Sequence, residues 1–347
     1  MKLRITLRAR LVMLVLAAIV PLLGLSVFRA WLNADAAIER ALTNLRVAVS
    51  LAASSQQRVT ETARQVLTAI TNAPVIREGK PDPCNRYLGE LGRLIPSYAN
   101  LGIVGTDGYS SCHGHGSGNG VATYLGDRAY FLDAVSRRSF VAGQYIVGRF
   151  TGKPAIPFAM PVLDAQGRVS FVAYAALDLT EMARSIAAIE VPPGVSLGIH
   201  DRNGTLLAGT PNVPLRIGQK AASPVLLEAV RTMGTGVREG LDGAGRQRLW
   251  AFMPSSPQPE AAFIVAASVD RSLVVGPSLR QLGLEIAALA LLAFLGGWLA
   301  WGMAGRAIVR PTTKILAVTS QLQQGRLDAR ISLNPRDSGR EFSEIAT

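Results

Sequence analysis

Residues 171–178 read FVAYAALD, and residues 263–270 read FIVAASVD. Each is a short apolar run ending on an aspartate, the pattern of a strand buried on both faces that gives way to a helix. The agreement extends outward in one order. Leu101-Gly102-Ile103 followed by Asp107-Gly108 recurs as Leu197-Gly198-Ile199 followed by Asn203-Gly204. Leu132-Asp-Ala-Val135 recurs as Leu227-Glu-Ala-Val230, and Ala159-Met-Pro161 is echoed by Phe252-Met-Pro254. The offset between copies shrinks slowly from match to match, as in two diverged copies of one unit. Each copy reads as a strand, an Asp/Asn-Gly turn, a short helix, and strands joined by a second turn such as Asp164-Ala-Gln-Gly167. The chain is therefore expected to hold two tandem α/β modules.

The surrounding composition is not that of a purely soluble protein. Of 347 residues, 49% are hydrophobic and only 17% charged, with a mean hydropathy of +0.26. Such a chain is too apolar to be intrinsically disordered. The excess is concentrated in two uncharged runs, Leu11 to Phe28 and Ile286 to Ala304. Each is close to the ~20-residue helix that crosses a ~30 Å hydrocarbon core. Lys2, Arg4, Arg8 and Arg10 precede the first run, while Arg306, Arg310 and Lys314 follow the second. By the positive-inside rule both termini are cytoplasmic and residues 29–282 face outward. Ala34-Asp35-Ala36 offers a signal-peptidase alternative for the first run, opposed by its length and by Arg29. Much of the net charge of +12 flanks the apolar runs and none of it forms a basic stripe with interleaved aromatics, so no nucleic-acid partner is expected.

Between the first run and the modules lies a stretch free of Gly and Pro, from Trp31 to Thr71. Ile38, Leu42, Leu45, Val49, Ala52, Gln56, Val59, Ala63, Val66 and Ile70 alternate in steps of four and three. That is the 3.5-residue seam of a packed helix. It fits burial against the chain's own modules or a homodimer contact, and both remain open.

Several stretches together resemble a known family. Asp127-Arg128-Ala-Tyr130-Phe131 is followed by GRFTGKPAIPFAMPVLDAQGRV (148–169) and FVAYAALDL (171–179). Over roughly residues 30–275 the chain resembles a double Cache sensor domain: a long N-terminal helix carrying two PAS-like modules between two membrane spans. Beyond the second run, Arg310-Pro311 opens a predicted helix with Ile308, Ile315 and Leu322 in heptad register. Gly325-Arg-Leu327, a connector and Glu341-Phe342 follow. This resembles a HAMP linker that stops at Thr347 inside its second helix. The implied organisation is a cytoplasmic start (1–10), a span (11–28), a long periplasmic helix (29–75), a membrane-distal module (76–190) and a membrane-proximal module (191–282). A second span (283–304) and a partial HAMP linker (305–347) complete it. The resemblance implies a bacterial inner-membrane receptor, homodimeric through the long helix, spans and linker. Its output would be a histidine kinase or diguanylate cyclase, or alternatively a chemoreceptor tail.

Candidate chemistry is sparse. Gly-x-Ser-x-Gly, His-Glu-x-x-His and paired-acid motifs are missing from the sequence, and no catalytic site or cofactor is expected. Cys112-His113-Gly-His115 carries three metal-type side chains, but the glycines at 114, 116, 118 and 120 favour a plain loop. His200, just before the second Asn-Gly turn, reads as structural. The only two cysteines, Cys84 and Cys112, lie in the outer part, where a disulfide is favoured over two free thiols.

Arg128, Tyr130 and Phe131 open the short helix of the first module, where the second copy has Ser223, Val225 and Leu226. The fold does not need the Arg/aromatic set, so a guanidinium fork for a small carboxylate is the sharper reading. Amino-acid-binding Cache domains carry Arg-x-Trp-Tyr on a similar helix and an Asp at a later strand end. That resemblance makes Asp178 the ammonium partner, and the nearby rings of Tyr124 and Tyr145 join the candidate set. Asp178-Leu-Thr-Glu181 is equally a helix capping box, with Asp270 in the same place in the other copy. A reporter fused after Ala304 is expected to behave as cytoplasmic; a signal typical of an oxidising compartment would overturn this topology.

Overall fold

The computed structural model describes residues 7–114, 123–256 and 262–304. His115 and the HAMP-like stretch 305–347 lie outside the described residues. The chain divides into two units, Ala37–Val275 and the flanking segments on either side of it.

Helix α1 (Leu7–Asn72) runs 66 residues and ends before Pro74, where the residue preceding a proline is driven out of helical geometry. A single turn, α2 (Pro74–Arg77), and helix α3 (Pro81–Leu94) follow, both starting on proline, whose fixed φ suits a first helical position. The first module continues with β1 (Tyr98–Gly105), β2 (Ser110–His113), α4 (Ala129–Arg137), β3 (Val141–Ala142), β4 (Ile146–Val147), β5 (Pro154–Leu163) and β6 (Val169–Asp178). Helix α5 (Leu179–Ala187) leads to the second module: β7 (Val195–His200), β8 (Leu206–Gly209), α6 (Pro224–Thr232), β9 (Gly236–Leu241), β10 (Gln247–Pro254) and β11 (Ile264–Asp270). Helix α7 (Arg271–Ala304) closes the described chain.

The two sheets repeat one plan. Their orders are β2-β1-β6-β5-β3, with β4 also on β5, and β8-β7-β11-β10-β9. Every pairing is antiparallel. Alternation along each central strand explains why both strand motifs read as continuous apolar runs. Leu101, Ile103, Ala173 and Ala175 face one core, and Leu197, Ile199, Val265 and Ala267 join the same core from the second module. The opposite faces are private to each module. Val104, Val172 and Tyr174 pack with Tyr130 and Phe131 of α4, whereas Ile264 and Ala266 pack with Leu226 of α6.

The long seam is spent within the chain. Leu45, Val49, Ala52, Gln56, Ala63 and Ile70 are buried, and Leu67, off the seam, is buried with them. The stripe is thus wider than a coiled-coil seam, because a sheet-based core covers more of a helix than one partner helix does. The seam's buried positions thus pack against the chain's own core, with Ile38, Leu42, Val59 and Val66 partly buried beside them. Thr68 and Thr71 lie against the Met160 sulfur, and Arg64 sits 4.3 Å over the Phe140 ring.

Cys84 of α3 and Cys112 of β2 are joined by a disulfide, with Cα atoms 6.0 Å apart. It ties the helix to the edge of the first sheet. Asp164, Asp201 and Asp242 build three alike turns. Each takes the N–H groups two and four residues on (at 166 and 168, 203 and 205, 244 and 246) onto Oδ1. Helices α1 and α7 each hold a stretch long and apolar enough to cross a membrane. Helix α4 ends on Arg138 at φ 53°, a left-handed position that costs an L-residue about 1 kcal/mol. Arg138→Gly is expected to raise stability by about 0.5–1 kcal/mol, seen as a higher urea midpoint at unchanged slope; an unchanged or lower midpoint would count against it.

Candidate functional site

In the first module, the private face of β1 and β6 carries Asn100, Tyr174 and Ala176. The start of α4 supplies Arg128 and Tyr130, and residues 146–151 close the remaining side. The enclosed volume is about 20 Å³, room for a single water. Tyr174 fills the rest. Its ring lies so close over Gly102 that a Cβ there would come within 2.5 Å of it. Its hydroxyl accepts from Asn100 Nδ2 at 2.9 Å. Burial pushes the hydroxyls of Tyr130 and Tyr174 well above the usual phenol range.

Arg128 stands at the N-cap of α4 with only a long contact, Nη2 to the Val147 carbonyl at 3.4 Å. Its Nε is buried and has no hydrogen-bond partner among the described residues. Next to it, Arg149 grips Asp127 with two bonds of 2.7 and 2.6 Å and also donates to the Tyr124 carbonyl. That guanidinium holds the Asp127 carboxyl below its ordinary range.

Of the six residues singled out from the sequence, only Arg128 and Tyr130 line this cavity. Phe131 points into a separate hollow with Thr106, Val135 and Arg168. Tyr124 is half exposed, edge-on to Tyr109 at 5.1 Å, and contributes a carbonyl rather than its ring. Tyr145 belongs to the junction between the modules. Its ring lies against Gly218 and its N–H donates to Asp201 Oδ2 at 3.1 Å.

Asp178 is almost fully buried and doubly engaged. Oδ1 caps α5 through the Thr180 N–H at 2.8 Å, and Oδ2 accepts from Lys153 Nζ at 2.8 Å. Burial alone would raise its pKa, but the Lys153 and Thr180 hydrogen bonds outweigh this and hold it below the usual carboxylate range. The capping reading describes its contacts, and the ammonium it meets belongs to Lys153. Asn100, Tyr174 and Arg149 were not found from the sequence. Their only signal was the strand alternation that puts 100, 174 and 176 on one face.

The larger cavity lies in the second module. It encloses about 310 Å³, lined by Ser196, Gly198 and His200 of β7, Ala266 and Ser268 of β11, and Trp250, Leu226 and Asp242. His200, read as structural from the sequence, is 3% exposed, and neither ring nitrogen has a partner. Burial pushes its pKa down to about 4. Asp242 accepts from Arg246 at 2.9 Å and lies 4.0 Å from Arg248. Arg248 in turn donates to the Ser268 and Ser196 hydroxyls at 3.1 and 3.2 Å.

Compared with known families and with curated proteins, the sequence matches none. Solved structures share its fold. The extracellular domain of rpHK1S-Z16, described as a histidine kinase, is similar with a TM-score of 0.58 at 19% identity, over 68% of this chain and 97% of that one. The ligand-binding domain of the Pseudomonas fluorescens chemoreceptor CtaA with L-serine gives 0.53 at 16% identity, over 67% and 99%. The ligand-binding domain of Mlp24 with asparagine gives 0.52 at 17%, over 70% and 98%. The chain thus has the fold of histidine-kinase and chemoreceptor sensory domains, the architecture that the double Cache resemblance implied.

His200 makes this fold acid-sensitive. Its folded-state pKa of about 4 lies below the ordinary 6.5, so the unfolded chain takes up the proton first as pH falls. Stability is therefore lost between about pH 6.5 and about pH 4, by up to about 3 kcal/mol. Denaturation at pH 7 and pH 4.5 should show a smaller drop for His200→Val than for the parent; equal drops would show that His200 does not titrate this way.

Proposed function

We propose that this chain is the sensory and membrane-spanning part of a signalling receptor, and that its first module takes a small carboxylate-bearing solute on Arg128. The observation that carries the reading is the buried Arg128 Nε without a partner. Among the described residues lining that cavity are two arginines and no carboxylate. At the same N-cap position the sister module has Ser223, whose hydroxyl accepts from the Leu226 N–H and donates to the Leu241 carbonyl. A guanidinium in this place is thus dispensable for capping and suited to an anion.

The solved neighbours include complexes with L-serine, asparagine and GABA, all of which carry a carboxylate and an amine. Here Asp178 already holds the Lys153 ammonium, so the carboxylate is the recognised group and a ligand amine is not required. Entry asks residues 146–151 to swing away, which breaks the Arg149–Asp127 pair. A ligand that binds the opened arrangement better shifts the population toward it. The basic flanks of the two apolar runs support a position of this unit outside the membrane. The HAMP-like stretch would pass the change to a cytoplasmic output, a histidine kinase or diguanylate cyclase in the first instance and a chemoreceptor tail otherwise. Dimer contacts would come from the long helix, the spans and that stretch.

Thermal-shift screening of the full chain in nanodiscs against small organic acids and amino acids tests this. A carboxylate at 100 times its Kd should add about 2.7 kcal/mol of stability. Arg128→Ala should lose that shift, while Arg137→Ala, at the far end of α4 in an exposed ion pair, should keep it. Equal binding by Arg128→Ala would remove the site from Arg128.

A further inference from the structure

The cavity of the second module occupies the place that Tyr174 fills in the first. Tyr174 of β6 stands opposite Gly102 of β1, and the residue opposite Gly198 of β7 is Ala266 of β11. On the same face, Ser196 stands where the first module has Asn100, His200 where it has Val104, and Ser268 where it has Ala176. These differences remove a ring from the middle of the face and line the opened space with a hydroxyl and an imidazole. Val104 is fully buried in an apolar cluster, so the fold itself has no need of a histidine there.

What remains polar in the cavity defines the occupant. Asp242 and Arg246 are the charged groups lining the cavity among the described residues, with Arg248 beside Asp242. They are engaged with one another and with the Ser196 and Ser268 oxygens. The unmet bonding capacity belongs to His200, whose neutral imidazole offers one N–H and one lone pair. Around it the walls are apolar: Leu215, Leu226, Val213 and the Trp250 indole, which stacks on Phe252 at 5.8 Å. A volume of about 310 Å³ lies in the range of small-molecule sites.

We propose that this cavity is a second ligand site, taking a small, uncharged, mainly apolar molecule that bears a hydroxyl or amide group. His200 is its polar anchor, and Trp250 and Leu226 are its apolar walls. The proposal is independent of the Arg128 site: it concerns the other module and a ligand of different charge.

Ligand-observed NMR titration of the full chain in nanodiscs, with empty nanodiscs as blank, tests it with phenol, benzamide, toluene and benzoate as probes. Phenol and benzamide should bind saturably at millimolar concentration or below, with toluene about tenfold weaker for lack of the hydrogen-bonding group. His200→Val, the sister module's residue, should reduce phenol to toluene's level. Ala266→Tyr, again the sister module's residue, should abolish binding of both, and Arg128→Ala should leave all three unchanged. If Ala266→Tyr does not fold, the phenol-to-toluene ratio in the parent and in His200→Val decides alone. Absence of saturable phenol and benzamide binding, or a parent ratio that persists in His200→Val, overturns the proposal. So does benzoate binding tighter than phenol in Arg128→Ala, or loss of phenol binding in that variant.

Discussion

Each module must fill the space above a glycine in its first strand. Protein interiors are packed to crystal-like density, and a gap the size of a ring is not left without consequence. In the first module the Tyr174 ring settles over Gly102, bonds Asn100, and leaves room for about one water. In the second, the His200 ring lies over Gly198 from the same strand, with Ala266 opposite, and a cavity remains. Gly102 and Gly198 recur for this reason. A Cβ at either would press on the ring above it, at 2.5 Å from Tyr174 and 2.9 Å from His200.

The buried polar groups follow from that difference. In the closed first module, Asp178 is matched by Lys153 and the Thr180 N–H, which offset the cost of burying a carboxylate. Among the described residues, Arg128 and His200 each keep a buried nitrogen unpaired beside a cavity. Unpaired groups of this kind are uncommon in folded proteins and ask for a partner. Arg128 caps the helix that packs over the private face of the first sheet, and His200 stands on the private face of the second.

The shared face couples the modules. Phe158 meets Phe263 edge-on at 6.3 Å, Asn203 Nδ2 donates to Gln144 Oε1 at 2.6 Å, and Asp201 takes the Tyr145 N–H. The segment from Tyr145 to Lys153 therefore touches the second module at one end and walls the Arg128 cavity along its length. In the second module, β11 ends on Asp270, whose Oδ1 accepts from Ser272 at the first turn of α7.

The sequence by itself determined the tandem repeat, the apolar runs and the helix caps, because these rest on local periodicity and turn chemistry that a one-dimensional string preserves. FVAYAALD and FIVAASVD are legible as strands buried on both sides, and Arg128 is legible as a residue the fold does not need. The tertiary structure alone decided which side chains share a cavity. Tyr145 is near Arg128 in the chain but packs on Gly218, and Asp178 lies beyond the reach of the cavity, tied to Lys153. His200 looked structural because a histidine before a turn carries no pattern. Its meaning depends on Ala266, a residue far along the chain that is too small to cover it. Periodicity assigns a residue to a face, but whether that face is filled or open depends on volumes contributed by strands distant in sequence.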